Sequence, residues 1–382
     1  MVKEKIKFIH LDLLRGISAI LVVCGHLRAV LFENVTEANN LTFFKKVFYF
    51  LTGLGHQAVI IFFVLSGFFI MRSILESEKN KKTSWFIYGI NRLSRLWVVL
   101  IPAVFLTLIF DSLGYKYGSQ NLYLGEYSFG GIIGSNLFQN LSIDSFFYNI
   151  FFMNGILSNS FGSNGALWSL PYEFWFYVIF PFIIILFRNK KITFHKFVLL
   201  IILILIITFI GLEIFKYFFI WCLGGGAILL IHISRYLSKI KMKYIFSILS
   251  IILFIIVVFY TRTGATSFEH DILLGFTSSF LIATLADSNG VFTNRIYQKT
   301  VSFLAEISFT VYAIHLPFIL FIVSFVDIDS LNLELNFIHF IIFITFLVVI
   351  LLYCYTIYYL FERNTYFFKK KLLKLLKPLK RN

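Results

Sequence analysis

The chain has 382 residues, of which 59% are hydrophobic and only 14% are charged, and its formal net charge is +15. A mean hydropathy of +0.86 excludes a soluble protein of this length, and with it a soluble nucleic-acid-binding protein, despite the positive charge. Apolar runs of helical length recur along the chain, which predicts an all-α, polytopic integral membrane bundle. The three cysteines all fall within apolar stretches and predict neither a disulfide framework nor a metal site.

About ten apolar segments are long enough to cross a bilayer, with both termini predicted in the cytoplasm. These segments are residues 10–32, 48–75, 96–113, 170–187, 197–213, 217–233, 244–260, 272–286, 303–326 and 338–360. With this orientation, 26 of the 34 Lys and Arg lie on the cytoplasmic side, as the positive-inside rule requires. The predicted location is therefore the inner or plasma membrane. Residues 1–363 form the membrane domain, and 364–382 form a basic amphipathic tail in contact with membrane lipid.

The first apolar segment carries charged and titratable residues where a membrane helix usually has none: Asp12, Arg15, His26 and Arg28. Arg15 and His26 are eleven residues apart, so a helix places them on one face about 16 Å from each other. An ionisable group inside a bilayer costs roughly 2.5–3.5 kcal/mol, and such groups usually face a bundle interior or a wet cavity. The segment is therefore predicted to form one wall of an active site.

Other polar residues of the spans fall into two layers by their depth in the membrane. The cytoplasmic layer is cationic and contains Arg15, Arg72, Arg92 and Arg95. The deeper layer contains His26, His56, Glu173 and His315. Arginine binds phosphate bidentately, and imidazole can remove a proton from a hydroxyl. The two layers suit a reaction between a phosphorylated donor from the cytoplasm and an acceptor from the other side.

Each of these residues also has a structural interpretation. Arg92 and Arg95 stand where any cytoplasmic loop carries positive charge. Glu173 lies in the first turn of a helix, where a carboxylate offsets the macrodipole. His56 suits a hydrogen-bonded histidine at the membrane interface, and His315 suits a hydrogen bond to a helix carbonyl near a proline kink.

The longest outside connection, residues 114–168, contains the apolar sequence FFYNIFFMNGIL. It is short for a membrane span and predicts a re-entrant or interfacial helix. The connection is therefore a candidate for a lid or an acceptor groove.

Five sequence motifs resemble, in order, those of the multi-pass membrane acyltransferase family 3. They are LDLLRGISAILVVCGH in the first span, FFVLSGFFI at 62–70, NRLSR at 91–95, ALWSLPYEFWFYVIFP at 166–181 and ISFTVYAIHLP at 307–317. The resemblance covers roughly residues 8–363. It implies transfer of an acyl group, most often acetyl, from cytoplasmic acyl-CoA to a hydroxyl of a surface or exported carbohydrate. Such carbohydrates include O-antigen, exopolysaccharide, peptidoglycan and lipid-linked sugars.

The resemblance also assigns motif residues. The family's arginine–histidine motif corresponds here to Arg15 and His26, and its paired arginines to Arg92 and Arg95. Its Trp-Ser-Leu…Glu motif corresponds to Trp168, Ser169, Leu170 and Glu173. Its late-helix motif corresponds to Ser308, Tyr312 and His315. One departure is the sequence after Glu362, where the family often has a proline, so Glu362 receives no role.

Together these observations predict a mechanism with acyl-CoA as co-substrate and no bound cofactor or metal. The phosphates of acyl-CoA would dock on the cytoplasmic arginine layer, and His26 would act as general base. Glu173 would orient or charge its imidazole, and His315 or Tyr312 would stabilise the oxyanion. The acceptor side would contain His56, Trp168 and Ser169.

Two alternatives stay open. A covalent acyl-enzyme could form on His26 or Ser66. A different class of protein, a transporter or flippase of lipid-linked saccharides, would line its pathway with the same buried arginines and histidines.

Overall fold

The computed structural model describes residues 8–36, 41–80, 84–127, 129, 137–188, 193–239, 242–264, 266–287, 294–328 and 331–376. These ranges are overwhelmingly helical and contain no β-sheet, which confirms the all-α polytopic fold. The helices are α1 (Ile9–Leu31), α2 (Phe43–Thr52), α3 (Gly55–Lys79), α4 (Trp85–Tyr117), α5 (Gln120–Leu124), α6 (Ile143–Ile150), α7 (Ser169–Phe187), α8 (Phe194–Lys239), α9 (Lys243–Thr263), α10 (Phe268–Asp287), α11 (Arg295–Val323), α12 (Phe337–Leu360) and α13 (Thr365–Leu376). Short 3₁₀ helices occur at Gln139–Leu141, Gly165–Trp168 and Glu362–Asn364.

Eight helices in the described ranges are long and apolar enough to cross a membrane. The predicted segments fall on helices, but two of these helices do not begin where the segments begin. The segment 48–75 is interrupted at Gly53 and Leu54, which separate α2 from α3, because glycine is a poor helix former. Helix α4 begins at Trp85 rather than at 96. Ser84 caps this start, since its Oγ accepts a hydrogen bond from the Ile87 N–H at 3.4 Å.

Helix α8 contains both predicted segments 197–213 and 217–233. Its 46 residues would measure about 69 Å if straight, roughly twice the thickness of a bilayer core. The helix is interrupted at Gly211, whose φ of 79° and ψ of 162° are not helical. Glycine adopts positive φ without steric cost, so this residue permits the bend. The count of ten spans stays a prediction.

The chain divides into two compact units. Unit 1 comprises Met1–Gly25, Lys46–Lys82 and Phe218–Phe309. Within it α10 packs against α9 and α3. Helices α3 and α8 approach closely at Gly67, where an added Cβ would lie 1.9 Å from the carbonyl oxygen of Trp221. Only glycine allows this backbone contact.

Unit 2 comprises His26–Lys45, Thr83–Tyr217 and Thr310–Asn382, and in it α4 packs against α5, α6, α7 and α13. The loop between α6 and α7 is fastened to α4 by Asp111. Its carboxylate accepts hydrogen bonds from the Ser163 N–H at 2.7 Å and the Ser163 hydroxyl at 2.6 Å. Both residues are buried, so the loop that leads into α7 has a fixed position on α4.

Two predictions about peripheral segments remain in part untested. The apolar sequence FFYNIFFMNGIL is helical only as far as Ile150, and its re-entrant or interfacial placement stays a prediction. The basic tail forms a helix over Thr365–Leu376, and residues 377–382 lie outside the described residues. The boundary at 363 and the position of the tail on the inner leaflet also stay predictions.

Candidate active site

Helix α1 is continuous from Ile9 to Leu31 and carries both Arg15 and His26, as predicted. An Arg15 guanidinium nitrogen lies 3.3 Å from the Asp12 carboxylate, one turn earlier on the same helix. Asp12 is therefore paired with an arginine of its own helix. At the other end of α1, His26 is half-buried and belongs to unit 2.

The imidazole of His26 is paired with that of His315 on α11. The Nδ1 atom of His26 lies 2.7 Å from the Nε2 atom of His315. The two rings are stacked, with centroids 5.0 Å apart and an angle of 16° between their planes. His315 has no exposed surface, and its Nδ1 atom lies 2.8 Å from the carbonyl oxygen of Val311. A chain of two hydrogen bonds therefore runs from a backbone carbonyl to His26.

This chain fixes the tautomers of both rings when they are neutral. The Val311 carbonyl can only accept, so Nδ1 of His315 carries a proton and its Nε2 atom has a lone pair. That lone pair accepts the hydrogen bond from Nδ1–H of His26. The remaining lone pair of the chain is then on Nε2 of His26. His26 thus has the electronic arrangement of a general base.

Helix α11 is anchored close to His315 by a side chain from the α6–α7 loop. Pro317 has no N–H, so the carbonyl of Ala313, four residues earlier, loses its helical partner. The Asn164 side-chain amide donates a hydrogen bond to this carbonyl at 2.9 Å and lies 3.2 Å from the Thr107 hydroxyl on α4. Asn164 therefore ties the turn of α11 before Pro317 to α4.

Two of the predicted motif residues, Ser169 and Tyr312, are in contact near this part of α11. The Ser169 hydroxyl at the start of α7 lies 2.7 Å from the Tyr312 hydroxyl on α11, and both residues are buried. Tyr312 and His315 are three residues apart on one helix, so their side chains are neighbours. Trp168 packs edge-to-face on Tyr172 at 5.4 Å. Sequence motifs separated by more than 140 residues are thus brought together around His315.

Glu173 was expected to orient His26, but the partner that the structure gives Nδ1 of His26 is His315. The Glu173 carboxylate accepts a short hydrogen bond from the Tyr177 hydroxyl, one turn further along α7. It also interacts electrostatically with Arg95 on α4. Glu173 belongs to the same unit as the histidine pair.

The paired arginines lie within α4 rather than in the loop before it, because the helix begins earlier than predicted. Their surroundings differ. Arg92 lies 5.6 Å from the ring centroid of Tyr88 and 5.9 Å from that of Tyr177, and its buried Nε atom has no hydrogen-bond partner in the described part of the chain. Arg95 interacts electrostatically with two carboxylates, those of Glu173 and Glu362.

The family model of acyltransferase family 3, which is described as an acyltransferase domain, matches residues 8–359. The chain belongs to acyltransferase family 3. Comparison with curated proteins and with solved structures gave no match. The protein is a multi-pass membrane acyltransferase, which transfers acyl groups other than aminoacyl groups. This favours the enzyme over the transporter alternative.

In this acyltransferase, unit 1 contains the other predicted site residues. Arg15 and Arg72 lie there, whereas Arg92 and Arg95 lie in unit 2, so a single layer of four arginines stays a prediction. The Arg72 Nε atom lies 2.9 Å from a Glu76 carboxylate oxygen, and its guanidinium stacks over the Phe8 ring at 4.3 Å.

His56 at the start of α3 is paired with a residue that sequence reasoning missed. Its Nε2 atom lies 2.7 Å from the Asp271 carboxylate in the first turn of α10. The His56 side chain is 30% exposed, whereas that of Asp271 is 5% exposed. The charged sequence FEHD before an apolar segment was the available signal for Asp271. His56 is thus held at one ring nitrogen by a buried carboxylate.

Two further observations concern alternative chemistry in the acyltransferase. The Ser66 hydroxyl, a candidate for a covalent acyl-enzyme, accepts a hydrogen bond from the Trp221 indole N–H at 3.2 Å in unit 1. Within the described residues, no group of three or more His, Cys, Asp or Glu side chains could hold a metal ion.

Proposed function

We propose that this acyltransferase moves an acyl group, most often acetyl, from cytoplasmic acyl-CoA to a hydroxyl of a surface or exported carbohydrate, with His26 as general base. The acyl-CoA donor and the carbohydrate acceptor are proposed from the resemblance to acyltransferase family 3. The observation that carries the role of His26 is its hydrogen bond to His315, since this bond leaves the lone pair on Nε2.

The proposed step is a direct transfer. Nε2 of His26 takes the proton of the acceptor hydroxyl, and the hydroxyl oxygen attacks the thioester carbonyl. The tetrahedral intermediate collapses with cleavage of the C–S bond, and the departing CoA thiolate takes the proton from His26. The products are an ester and free CoA, and the enzyme returns to its starting state without an oxidant or a metal.

His315 acts as the orienting partner of His26 in this proposal, in place of Glu173. Its hydrogen bond to Val311 fixes the ring, and its bond to His26 keeps Nδ1 of His26 protonated. The role of stabilising the oxyanion then falls to Tyr312, whose hydroxyl is paired with that of Ser169 close to His315. Trp168 and His56 keep their proposed places on the acceptor side.

Among the arginines proposed to bind the acyl-CoA phosphates, Arg92 has the surroundings that best fit the role. Its guanidinium lies beside two tyrosine rings, and its buried Nε donor has no partner among the described residues. An arginine in this state gains a bidentate phosphate contact without first losing an ion pair. Arg15 and Arg72, which are ion-paired within unit 1, remain proposed donor-binding residues.

The test is acyl transfer by the purified protein in lipid vesicles, with acetyl-CoA as donor and release of CoA as the readout. We expect His26→Ala to lower kcat by about 10²–10⁴-fold, the usual contribution of a general base. His232→Ala is the matched control, since His232 is an exposed helical histidine remote in sequence from every proposed site residue. Normal transfer by correctly folded His26→Ala would refute the role of His26.

A further inference from the structure

Thr310 on α11 makes an unusual hydrogen bond in the middle of a helix. Its backbone N–H, which in a regular helix points to the carbonyl of Glu306, lies 3.2 Å from a carboxylate oxygen of Glu362. Its hydroxyl donates to the same oxygen at 2.5 Å. Thr310 is 1% exposed, whereas Glu362 is half-buried. A carboxylate thus holds the main chain of α11 at this turn.

Glu362 is brought to this position by the 3₁₀ turn Glu362–Asn364, which follows α12. A carboxylate within a membrane protein is costly unless it is paired, and Glu362 interacts electrostatically with Arg95 on α4. Arg95 also interacts with Glu173 on α7. One guanidinium group therefore interacts electrostatically with two carboxylates, one on α7 and one in the turn after α12.

The turn held by Glu362 is the turn that orients the histidine pair. Thr310 is followed directly by Val311, whose carbonyl accepts the hydrogen bond from His315. A displacement of the Thr310 main chain would move this carbonyl and rotate His315 away from Nδ1 of His26. The contact between Thr310 and Glu362 is thus linked to His26 by the Thr310–Val311 peptide and by two hydrogen bonds. These bonds join His315 to Val311 and His26 to His315.

We propose that Glu362 is a positioning residue for the acyl transfer, and that Arg95 holds it in place instead of binding acyl-CoA. Glu362 fixes the Thr310 turn of α11, and this turn sets the orientation of His315 and His26. The proposal rests on the proposed function of His26. It separates the two arginines of the NRLSR motif, with Arg92 facing the donor and Arg95 supporting the base.

The test uses Thr310→Val, which keeps the size of the side chain and removes its hydroxyl donor. We expect kcat to fall by about tenfold, while KM for acetyl-CoA changes by less than about threefold, because only the chemical step loses stabilisation. Thr310→Ser restores the hydroxyl, and its kcat should lie within about threefold of the unchanged protein. Glu362→Gln should reproduce the loss seen with Thr310→Val. Thr345→Val is the matched control, since Thr345 is an exposed threonine whose hydroxyl bonds only the preceding turn of its own helix.

A merely structural role would reduce the yield of folded protein and leave kcat per folded molecule unchanged for Thr310→Val, and this result would overturn the proposal. An unchanged kcat with inactive His26→Ala would overturn the positioning role alone. Full activity of His26→Ala would overturn the proposed function, and the positioning role with it. A rise in KM for acetyl-CoA in Arg95→Met, with kcat unchanged, would return Arg95 to the donor site.

Discussion

Each unit contains one hydrogen-bonded pair with a histidine: His26–His315 in unit 2 and His56–Asp271 in unit 1. The two pairs differ in which ring nitrogen of His26 or His56 the partner binds. Both pairs are joined at 2.7 Å. His26 is held at Nδ1, next to its Cβ, so its outer nitrogen Nε2 has the lone pair. His56 is held at Nε2 by Asp271, so its outer nitrogen is already used. The serine–histidine–aspartate template of hydrolases also holds the inner nitrogen and reacts at the outer one.

In the proposed mechanism, the residue type of the partner is therefore a poor guide to the base. A histidine–carboxylate pair is the more familiar arrangement for general-base catalysis, yet in His56 it occupies the nitrogen that could reach a substrate. The His26–His315 pair ends on a backbone carbonyl and leaves the reachable nitrogen available. We therefore expect the pair in unit 2 to act in the chemical step and the pair in unit 1 to act in binding.

The largest expected difference is between His315→Leu and Asp271→Asn. Loss of His315 removes the acceptor that fixes His26, and kcat should fall by about 100-fold or more. Asp271→Asn should change kcat by less than about threefold, with its main effect on KM for the acceptor. Steady-state kinetics with donor and acceptor varied in turn would measure both. Equal losses of kcat in the two variants would contradict the comparison.

A smaller effect separates two replacements of the same residue. The amide of His315→Gln can accept from His26 with its oxygen and donate to Val311 with its nitrogen, whereas leucine can do neither. We expect kcat of His315→Gln to exceed that of His315→Leu by about tenfold. Identical rates would show that the hydrogen-bond chain does not orient His26.

Arg92 in unit 2 is expected to contribute more to donor binding than Arg72 in unit 1. Arg92→Ala should raise KM for acetyl-CoA by about tenfold, the equivalent of one charge-assisted contact. Arg72→Ala should raise it by no more than about threefold, because Arg72 is already paired with Glu76. Initial rates over a range of acetyl-CoA concentrations give both values. A larger effect of Arg72→Ala would place the donor phosphates on unit 1.

The smallest expected effect concerns two side-chain amides that donate hydrogen bonds to backbone carbonyls of helices. Asn164 donates to Ala313 in unit 2, and Gln57 donates to Thr261 near the end of α9 in unit 1, at 3.1 Å. Replacing either by alanine should lower the free energy of unfolding by about 1–3 kcal/mol. Only Asn164→Ala should also lower kcat, by about threefold, since it lies beside the His315 turn. Thermal unfolding in detergent and kinetics per folded molecule would measure the two effects, and a loss of kcat only in Gln57→Ala would be the opposite result.

The sequence predicted the helices and the face that Arg15 and His26 share, because apolar length and helical spacing are local properties. Of the two interpretations of His315, the structural one, a hydrogen bond to a helix carbonyl near a proline, is present as the bond to Val311. The sequence did not predict that His315 is the partner of His26. The two residues are 289 positions apart, and their contact depends on how α11 packs against α1.

The contacts of Asn164 and Glu362 were missed for a related reason. Pro317 signals that the carbonyl four residues earlier needs a donor, but no local pattern indicates that the donor is Asn164, 149 positions away. Glu362 stands in a sequence that departs from the family's usual motif, and its bond to Thr310 spans 52 positions. Side-chain contacts between distant segments are set by tertiary packing, which periodicity does not encode.

The segment of α11 before His315 is held largely through its main chain, at the N–H of Thr310 and at the carbonyls of Val311 and Ala313. Every residue type except proline offers the first of these groups, and every residue type offers the second. Substitutions at the buried positions 311 and 313 are therefore limited by size and polarity, and the hydrogen-bonding constraint falls on Thr310, Glu362, Asn164 and His315. In evolving sequences of this kind, a distant glutamate and a loop asparagine should change less readily than residues that adjoin the histidine itself.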